Sequence, residues 1–310
     1  MIARVVGTIF RGFLMGAADV VPGISGGTVA LVLGIYRRLV DALRSGSAAL
    51  GRFVRGDLDG GLELVKRVEW VFILPLLAGM VFAIASLANL IETQLDDHPI
   101  EIAALFLGLV ASSILVAWRL LERRDPPRLL TMVAVGAVAF VLLGLRDGTS
   151  EDSVGQVDDA AFWAFFLSGA VAISAMILPG ISGSLILVMI GMYSPVLDAV
   201  TGRDALPILV FVAGATLGLA LFSQVLHWAL HHHYDSVMAA LIGLMFGSTR
   251  VLWPWPEGLD GTTLGSPDGS IPAAVTLAIL GSLVVLAINT VALRIGRRSE
   301  PGLGEATRET

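Results

Sequence analysis

Hydrophobic residues run almost unbroken along most of this chain, in blocks of two lengths. Six blocks, 71–91, 102–118, 129–145, 205–227, 236–253 and 272–293, are near the ~20 residues that cross a bilayer core. Two others, 5–43 and 160–200, are about twice as long, and Pro and Gly interrupt each near its middle. Central helix breakers in a run of that length predict a re-entrant or fully spanning hairpin. The stretch 45–70 is too polar to span, yet Leu50, Phe53, Leu58, Leu62 and Val65 recur among its charges. That pattern fits a helix lying on the inner leaflet surface, or a solvated linker.

The two long blocks are copies. Laid over each other without gaps, Gly16 to Leu43 and Ile173 to Val200 share the block PGISG, then Gly34 with Gly191, Tyr36 with Tyr193, and Asp41-Ala42 with Asp198-Ala199. A second register pairs Ala78-Gly79 with Ala213-Gly214 and Gly108-Leu109 with Gly243-Leu244. The expected fold is an all-α integral membrane protein made of two repeats. The first occupies residues 1–145 and the second 160–294, with a cytoplasmic tail at 295–310. Each repeat is a broken-helix hairpin followed by three spans. Three is odd, so the second repeat is expected to enter the membrane from the opposite face.

Charge tests that orientation independently. The expected inner segments hold Arg37, Arg38, Arg44, Arg52, Arg55, Lys66, Arg67, Arg119, Arg123, Arg124, Arg128, Arg294, Arg297 and Arg298, whereas the outer loops hold Arg146, Arg203 and Arg250. By the positive-inside rule both termini face the cytoplasm, and the expected location is a cytoplasmic (inner) membrane. Composition agrees: 55% hydrophobic, 15% charged and mean hydropathy +0.83 exclude an ordinary soluble domain. The net charge of -6 leaves no basic face for nucleic acid, and zero Cys removes disulfides, thiolate metal sites and Cys nucleophiles. Arg4 and Arg11 interrupt the first apolar stretch, so no cleaved leader is expected.

Candidate chemistry concentrates at the two interruptions. In hydrocarbon, each unpaired backbone N–H or C=O costs several kcal/mol, so a break survives where protein, water or a ligand satisfies it. A half-helix that starts at such a break aims free amides and the positive end of its dipole into the gap, which suits phosphate or carboxylate. The candidate anion site is therefore Pro22, Gly23, Ser25, Gly26, Gly27 and Thr28 with Pro179, Gly180, Ser182, Gly183 and Ser184. The plainer reading is that these small residues let two hairpin arms pack closely. Arg11 and Asp19 lie eight residues apart on one broad face of the first arm. Arg11 either pairs with the anion or snorkels to the inner surface; Asp19 is a counter-ion, a proton carrier or a cap for the next half-helix. The second copy has Ser168 and Met176 there instead.

Other polar residues receive structural readings. Tyr36 and Tyr193 are expected to anchor at the interface, and Asp41 and Asp198 to lie at the water boundary. Gln224, His227 and Asn289 are expected to make helix–helix hydrogen bonds. G-I-S-G also matches the G-x-S-G around the serine of rhomboid proteases, but a serine nucleophile needs a base within reach. His98 and His231 to His233 fall in expected loops, so no catalytic residue, metal site or cofactor is expected.

The run GFLMGAADVVPGISGGTVALVLGIY, followed later by MILPGISGSLILVMIGMY, resembles the PopT polyprenyl-phosphate transporter family of bacterial and archaeal membranes. The resemblance covers nearly the whole chain and implies a flippase returning undecaprenyl phosphate, or a related polyprenyl phosphate, for reuse in cell-envelope synthesis. The family's paired motifs fall on the candidate anion site above, and Arg37 stands where the family often has an acidic residue. The implied partners are that lipid and the membrane. The residues alone leave open a secondary transporter of a small anion, and a membrane lipid-phosphate phosphatase.

Overall fold

A computed structural model of the chain describes residues 2–21, 24–145, 157, 160–255, 262–269 and 271–298. Every regular element among these residues is a helix. The first hairpin block becomes α1 (Ile2–Asp19), α2 (Gly26–Val32) and α3 (Tyr36–Val54), and α4 (Leu58–Arg67) follows. Three long helices come next: α5 (Trp70–Asp97), α6 (Pro99–Leu120) and α7 (Pro126–Leu143). The second block repeats the order as α8 (Phe162–Ile177), α9 (Gly183–Met189) and α10 (Tyr193–Thr201), then α11 (Ala205–His232), α12 (Tyr234–Ser248) and α13 (Ile271–Arg298).

Among the described residues five helices, α5, α6, α7, α11 and α13, are long and apolar enough to cross a membrane, and the bent pair α9–α10 counts as a sixth if it is one span. With the apolar but shorter α8 and α12 they make a multi-pass membrane protein. At 28 residues each, α5 and α11 reach about 42 Å, well beyond a ~30 Å hydrocarbon core, so their ends extend into the interface or tilt. Leu, Val and Phe side chains exposed along α5, α7, α11 and α13 provide the lipid-facing surface.

Each hairpin block contains a second interruption in addition to the expected one. Gly34 and Gly191, at φ 68° and 72°, reverse the chain after the seven-residue helices α2 and α9, and α9 and α10 meet at 112°. A side chain at these φ values is strained, which explains glycine at both. The stretch 45–70, expected as a surface helix or a solvated linker, is helical: α3 continues unbroken to Val54, the chain turns at Gly56, and Asp57 caps α4 by accepting from the Gly60 amide at 2.9 Å. The Arg52 guanidinium and the Gly60 amide hold the Asp57 carboxyl below the usual carboxylate range. The apolar block expected as one span over 236–253 ends as α-helix at Ser248, and from Thr249 to Trp253 the amides bond three residues back instead of four, a tighter winding that carries the chain to Pro254.

The bundle is built from four closely packed helix pairs: α1 with α5, α8 with α11, α7 with α12, and α6 with α13. Lipid is as apolar as leucine, so such pairs are held by close contact through small residues. Gly12 and Gly16 of α1 lie against the backbones of Leu76 and Met80, and Gly79 returns the contact to Ile9. Gly169, Gly214 and Gly218 do the same between α8 and α11, Gly136 and Gly243 between α7 and α12, and Gly108 and Gly281 between α6 and α13. The short helix α2 sits inside this frame, with Ala30 and Leu31 in one buried cluster with Ile177, Ile242 and Met245, while α9 buries Leu187 in a cluster with Phe165 and Ala172 and Leu185 in one with Leu143 and Val251.

Candidate functional site

The two interruptions meet in the interior. Thr28, on the first turn of α2, accepts a hydrogen bond from the Gly180 amide at 3.0 Å, across 152 residues of chain. The Ser25 hydroxyl donates to the Met176 carbonyl at 3.1 Å, and the Tyr36 hydroxyl donates to the Ile177 carbonyl at 3.1 Å. Residues of the first break thus satisfy backbone groups at the second, where α8 stops and leaves its carbonyls without helical partners. Approach is close enough that a Cβ on Gly27 would lie 2.8 Å from the Ile177 oxygen. Gly180 takes φ 89°, and a Cβ there would stand 2.7 Å from the Met245 Cα of α12, so only glycine fits.

At the first break the half-helix is already capped. Asp19 Oδ1 accepts from the Gly26 amide at 2.5 Å, Ser25 Oγ from the Gly27 amide at 3.0 Å, and the Ser25 carbonyl from the Thr28 amide at 2.8 Å. Ser25 and Thr28 are almost fully buried. At the second break the same positions behave differently. Met176 stands where Asp19 stands, with its Cγ 2.6 Å from where a Cβ on Gly183 would be; Asp19 Oδ2 is at the same 2.6 Å from the Gly26 position. Among the described residues no side chain caps α9, and the Ser182 and Ser184 hydroxyls bond to each other at 2.7 Å. The amides of Gly183, Ser184 and Leu185 make no hydrogen bond with a described residue. Ser184 is exposed.

The structure therefore joins Ser25, Gly27 and Thr28, with Asp19 and Gly26 beside them, to Met176, Ile177 and Gly180 of the second break; buried Pro179 precedes Gly180, and Ser182, Gly183 and Ser184 follow it along the chain. Pro22 and Gly23 lie outside the described residues. Arg11, half-buried on α1, makes no ion pair or hydrogen bond with a described residue, and so none with Asp19, which caps α2 instead. Tyr36 differs from its expected interfacial place. It is 4% exposed, because the turn at Gly34 folds the start of α3 back against the second break.

A second polar cluster joins α3 to α11. Asp41 and His227 Nδ1 are 2.7 Å apart, and His231 donates from Nδ1 to the His227 carbonyl at 2.8 Å. The helix–helix role expected of His227 is this contact, whereas His231 to His233, expected in a loop, begin inside the helix: His231 and His232 are the last turn of α11. One ligand atom each from Asp41, His227 and His231 falls within 4.8 Å of the others, a donor set able to hold a divalent cation. Asn289 reaches from α13 to the Val32 carbonyl at 3.3 Å, also between helices, whereas Gln224 bonds within its own helix. Asp41 was invisible as a partner because 186 residues separate it from His227.

Long lipid-facing helices, arranged around two interrupted hairpins in which side chains of the first break bond backbone groups at the second, define a multi-pass membrane protein of the transporter class. Residues 15–266 match the family described as Undecaprenyl phosphate translocase-like, and the chain belongs to it. It is similar to a protein named "Polyprenyl-phosphate transporter" from Vibrio cholerae, with 39% identity over 253 residues, 82% of this chain and 79% of that one. A Staphylococcus aureus protein of the same name is 29% identical over 296 residues, 91% of this chain and 95% of its own. No solved structure matches the chain.

Proposed function

We propose that this protein carries undecaprenyl phosphate, or a related polyprenyl phosphate, across the cytoplasmic membrane and returns the carrier lipid to the inner leaflet. It acts as a transporter and not as an enzyme. The observation that carries the reading is the hydrogen-bonded junction of the two breaks at Thr28 and Gly180, in a chain of the translocase-like family. The matched names of the Vibrio and Staphylococcus relatives point to the same substrate.

In this reading the two halves are inverted repeats. The pairing of α1 with α5 mirrors that of α8 with α11, and α6 with α13 mirrors α12 with α7. Each α-helical hairpin enters from its own face and turns back at Gly34 or Gly191. The basic inner segments place both termini in the cytoplasm. The phosphate is received at the junction, where the amides of Gly183, Ser184 and Leu185 and the hydroxyls of Ser182 and Ser184 are the donors at hand. Arg11, Pro22, Gly23, Ser25, Gly26, Gly27, Thr28, Pro179 and Gly180 complete the site. Asp19 holds the first half-helix closed, and movement of one hairpin against the other exposes the junction to alternate leaflets.

The test is leaflet-resolved transport of labelled polyprenyl phosphate in proteoliposomes, with and without a pH gradient. Wild-type protein moves the label between leaflets, and Ser25→Ala slows it while insertion stays normal. Uptake of a water-soluble anion indifferent to polyprenyl phosphate would assign a small-anion transporter instead, and release of inorganic phosphate would assign a phosphatase.

A further inference from the structure

An apolar groove of about 630 Å³ runs between α6, α7 and α12, within the roughly 300–1,000 Å³ range of ligand clefts. Buried Ile242 and Gly136 form its floor, and exposed Leu115, Val133, Val141 and Phe246 flank its open side. Its lining runs along α7 from Met132 to Val141, a rise of about 14 Å and so nearly half of a ~30 Å hydrocarbon core. An arginine closes over an aromatic lining residue at each end. The Arg250 guanidinium stands 4.8 Å over the Phe140 ring, and that of Arg124 stands 5.1 Å over the Trp118 ring.

Neither arginine forms an ion pair with a described residue. Arg250 spends its Nε hydrogen on the Thr262 carbonyl at 2.9 Å, and Arg124 donates to the Trp118 carbonyl at 3.3 Å. Each keeps further N–H groups for an anion, in the planar array that suits phosphate oxygens. A bare apolar groove in a membrane protein accepts any acyl chain. A groove with a cation at each mouth matches a lipid that pairs one long apolar tail with a phosphate.

We propose that this groove holds the isoprenoid tail of the transported lipid, with Arg250 receiving the phosphate at the outer mouth and Arg124 at the inner. The assignment rests on the function proposed above and on the same membrane orientation. It deepens that reading by separating a tail site from the headgroup junction. The two are one helix apart: Met245 of α12 backs Gly180 at the junction, while Ile242 and Phe246 of the same helix line the groove. The tail then stays in hydrocarbon while its headgroup crosses.

The test uses the full-length protein in liposomes. Cysteine is absent from the chain, so Ala137→Cys, on the exposed groove wall, gives a single labelling site. Polyprenyl phosphate slows maleimide labelling of that cysteine, whereas added phosphatidylglycerol does not. Ala137→Trp fills the groove and lowers transport of long-chain polyprenyl phosphate about tenfold, or 1.4 kcal/mol, while a short-chain prenyl phosphate moves as in wild type. Arg250→Gln slows loading from the outer leaflet more than Arg250→Lys. Equal protection by both lipids would make the groove a bulk-lipid surface, and a disulfide-linked dimer of Ala137→Cys would make it a contact with a second copy. Either result overturns the proposal, as does equal loss for long and short substrates in Ala137→Trp. If wild-type protein moves no polyprenyl phosphate, the substrate reading fails rather than the tail site alone.

Discussion

The two interruptions share the block PGISG, yet one is sealed and the other is open. Both place a seven-residue helix after the break, and both reverse at a left-handed glycine. They differ in the last turn of the preceding arm, where the first has Asp19 and the second Met176. A carboxylate at that place takes the Gly26 amide, whereas a thioether packs against Gly183 and accepts no hydrogen bond from its amide. The first break thus spends its side chains on structure, and in doing so it also satisfies Gly180, Met176 and Ile177 of its partner. Duplication supplied two similar backbones, and one differing side chain leaves the first half-helix capped and the second uncapped, the difference on which the proposed headgroup site rests.

Making the second break resemble the first should give the largest effect. In Met176→Asp the new carboxylate lies where it can accept from the Gly183 amide and repel an approaching phosphate. A hydrogen bond to a charged group contributes about 1.5–3 kcal/mol. Losing one, with added repulsion, lowers affinity for polyprenyl phosphate by about a hundredfold, or 2.7 kcal/mol. Equilibrium binding to purified protein measures this, and stability is expected to hold or rise because a helix gains its cap. Unchanged affinity would mean that the α9 amides do not meet the headgroup.

The reverse change follows in size. Asp19→Ala strips the cap and leaves the Gly26 amide unpaired in a buried place. The expected loss is about 2 kcal/mol of unfolding free energy in detergent. Met176→Ala removes a side chain that is 41% exposed and bonds to nothing, for under about 1 kcal/mol. Similar costs at the two sites would erase the division of labour. A smaller effect comes from the contact that joins the breaks: Thr28→Val keeps shape but leaves the Gly180 amide without its acceptor, for about 1.5 kcal/mol. Slowed hydrogen exchange at Gly180 in wild type, lost in Thr28→Val, reports that bond directly.

What was legible in the sequence follows the range of each signal. Apolar run length located the spanning helices α5, α6, α7, α11 and α13, because the bilayer fixes that length, whereas α3 runs on into polar sequence that carries no such signal. Repeated PGISG marked both breaks, and the Asp19 and Met176 difference stood in the alignment. The reversals at Gly34 and Gly191 were also in the alignment as matched glycines. They went unread as turns because α2 and α9 are apolar on every side, so no change of hydrophobic period announces a corner. Burial of Tyr36 follows from that unseen corner. The Thr28–Gly180 bond and the Asp41–His227 contact join residues 152 and 186 positions apart, which no local pattern encodes. Arg124 and Arg250 read only as loop charges, since the aromatic rings beneath them belong to the spans.

The smallest test uses one substitution at equivalent motif positions. Ser25 is 1% exposed; its oxygen accepts from the Gly27 amide and its hydrogen goes to the Met176 carbonyl. Ser25→Ala therefore removes an N-cap and orphans two backbone groups, one from each break, for about 1.5 kcal/mol of stability. Ser182 is 6% exposed, and the hydrogen bond of its side chain is to the hydroxyl of exposed Ser184. Ser182→Ala frees a hydroxyl that solvent or ligand can engage, and costs about 0.5 kcal/mol. Paired denaturant curves in one detergent resolve a difference of about 1 kcal/mol. Transport should invert the ranking per unit of stability lost, since in the proposed mechanism the Ser182 hydroxyl donates to the headgroup, whereas Ser25 caps the first half-helix. A Ser182→Ala protein as unstable as Ser25→Ala, with transport unaltered, would mean that both serines are struts and that the two breaks never diverged in role.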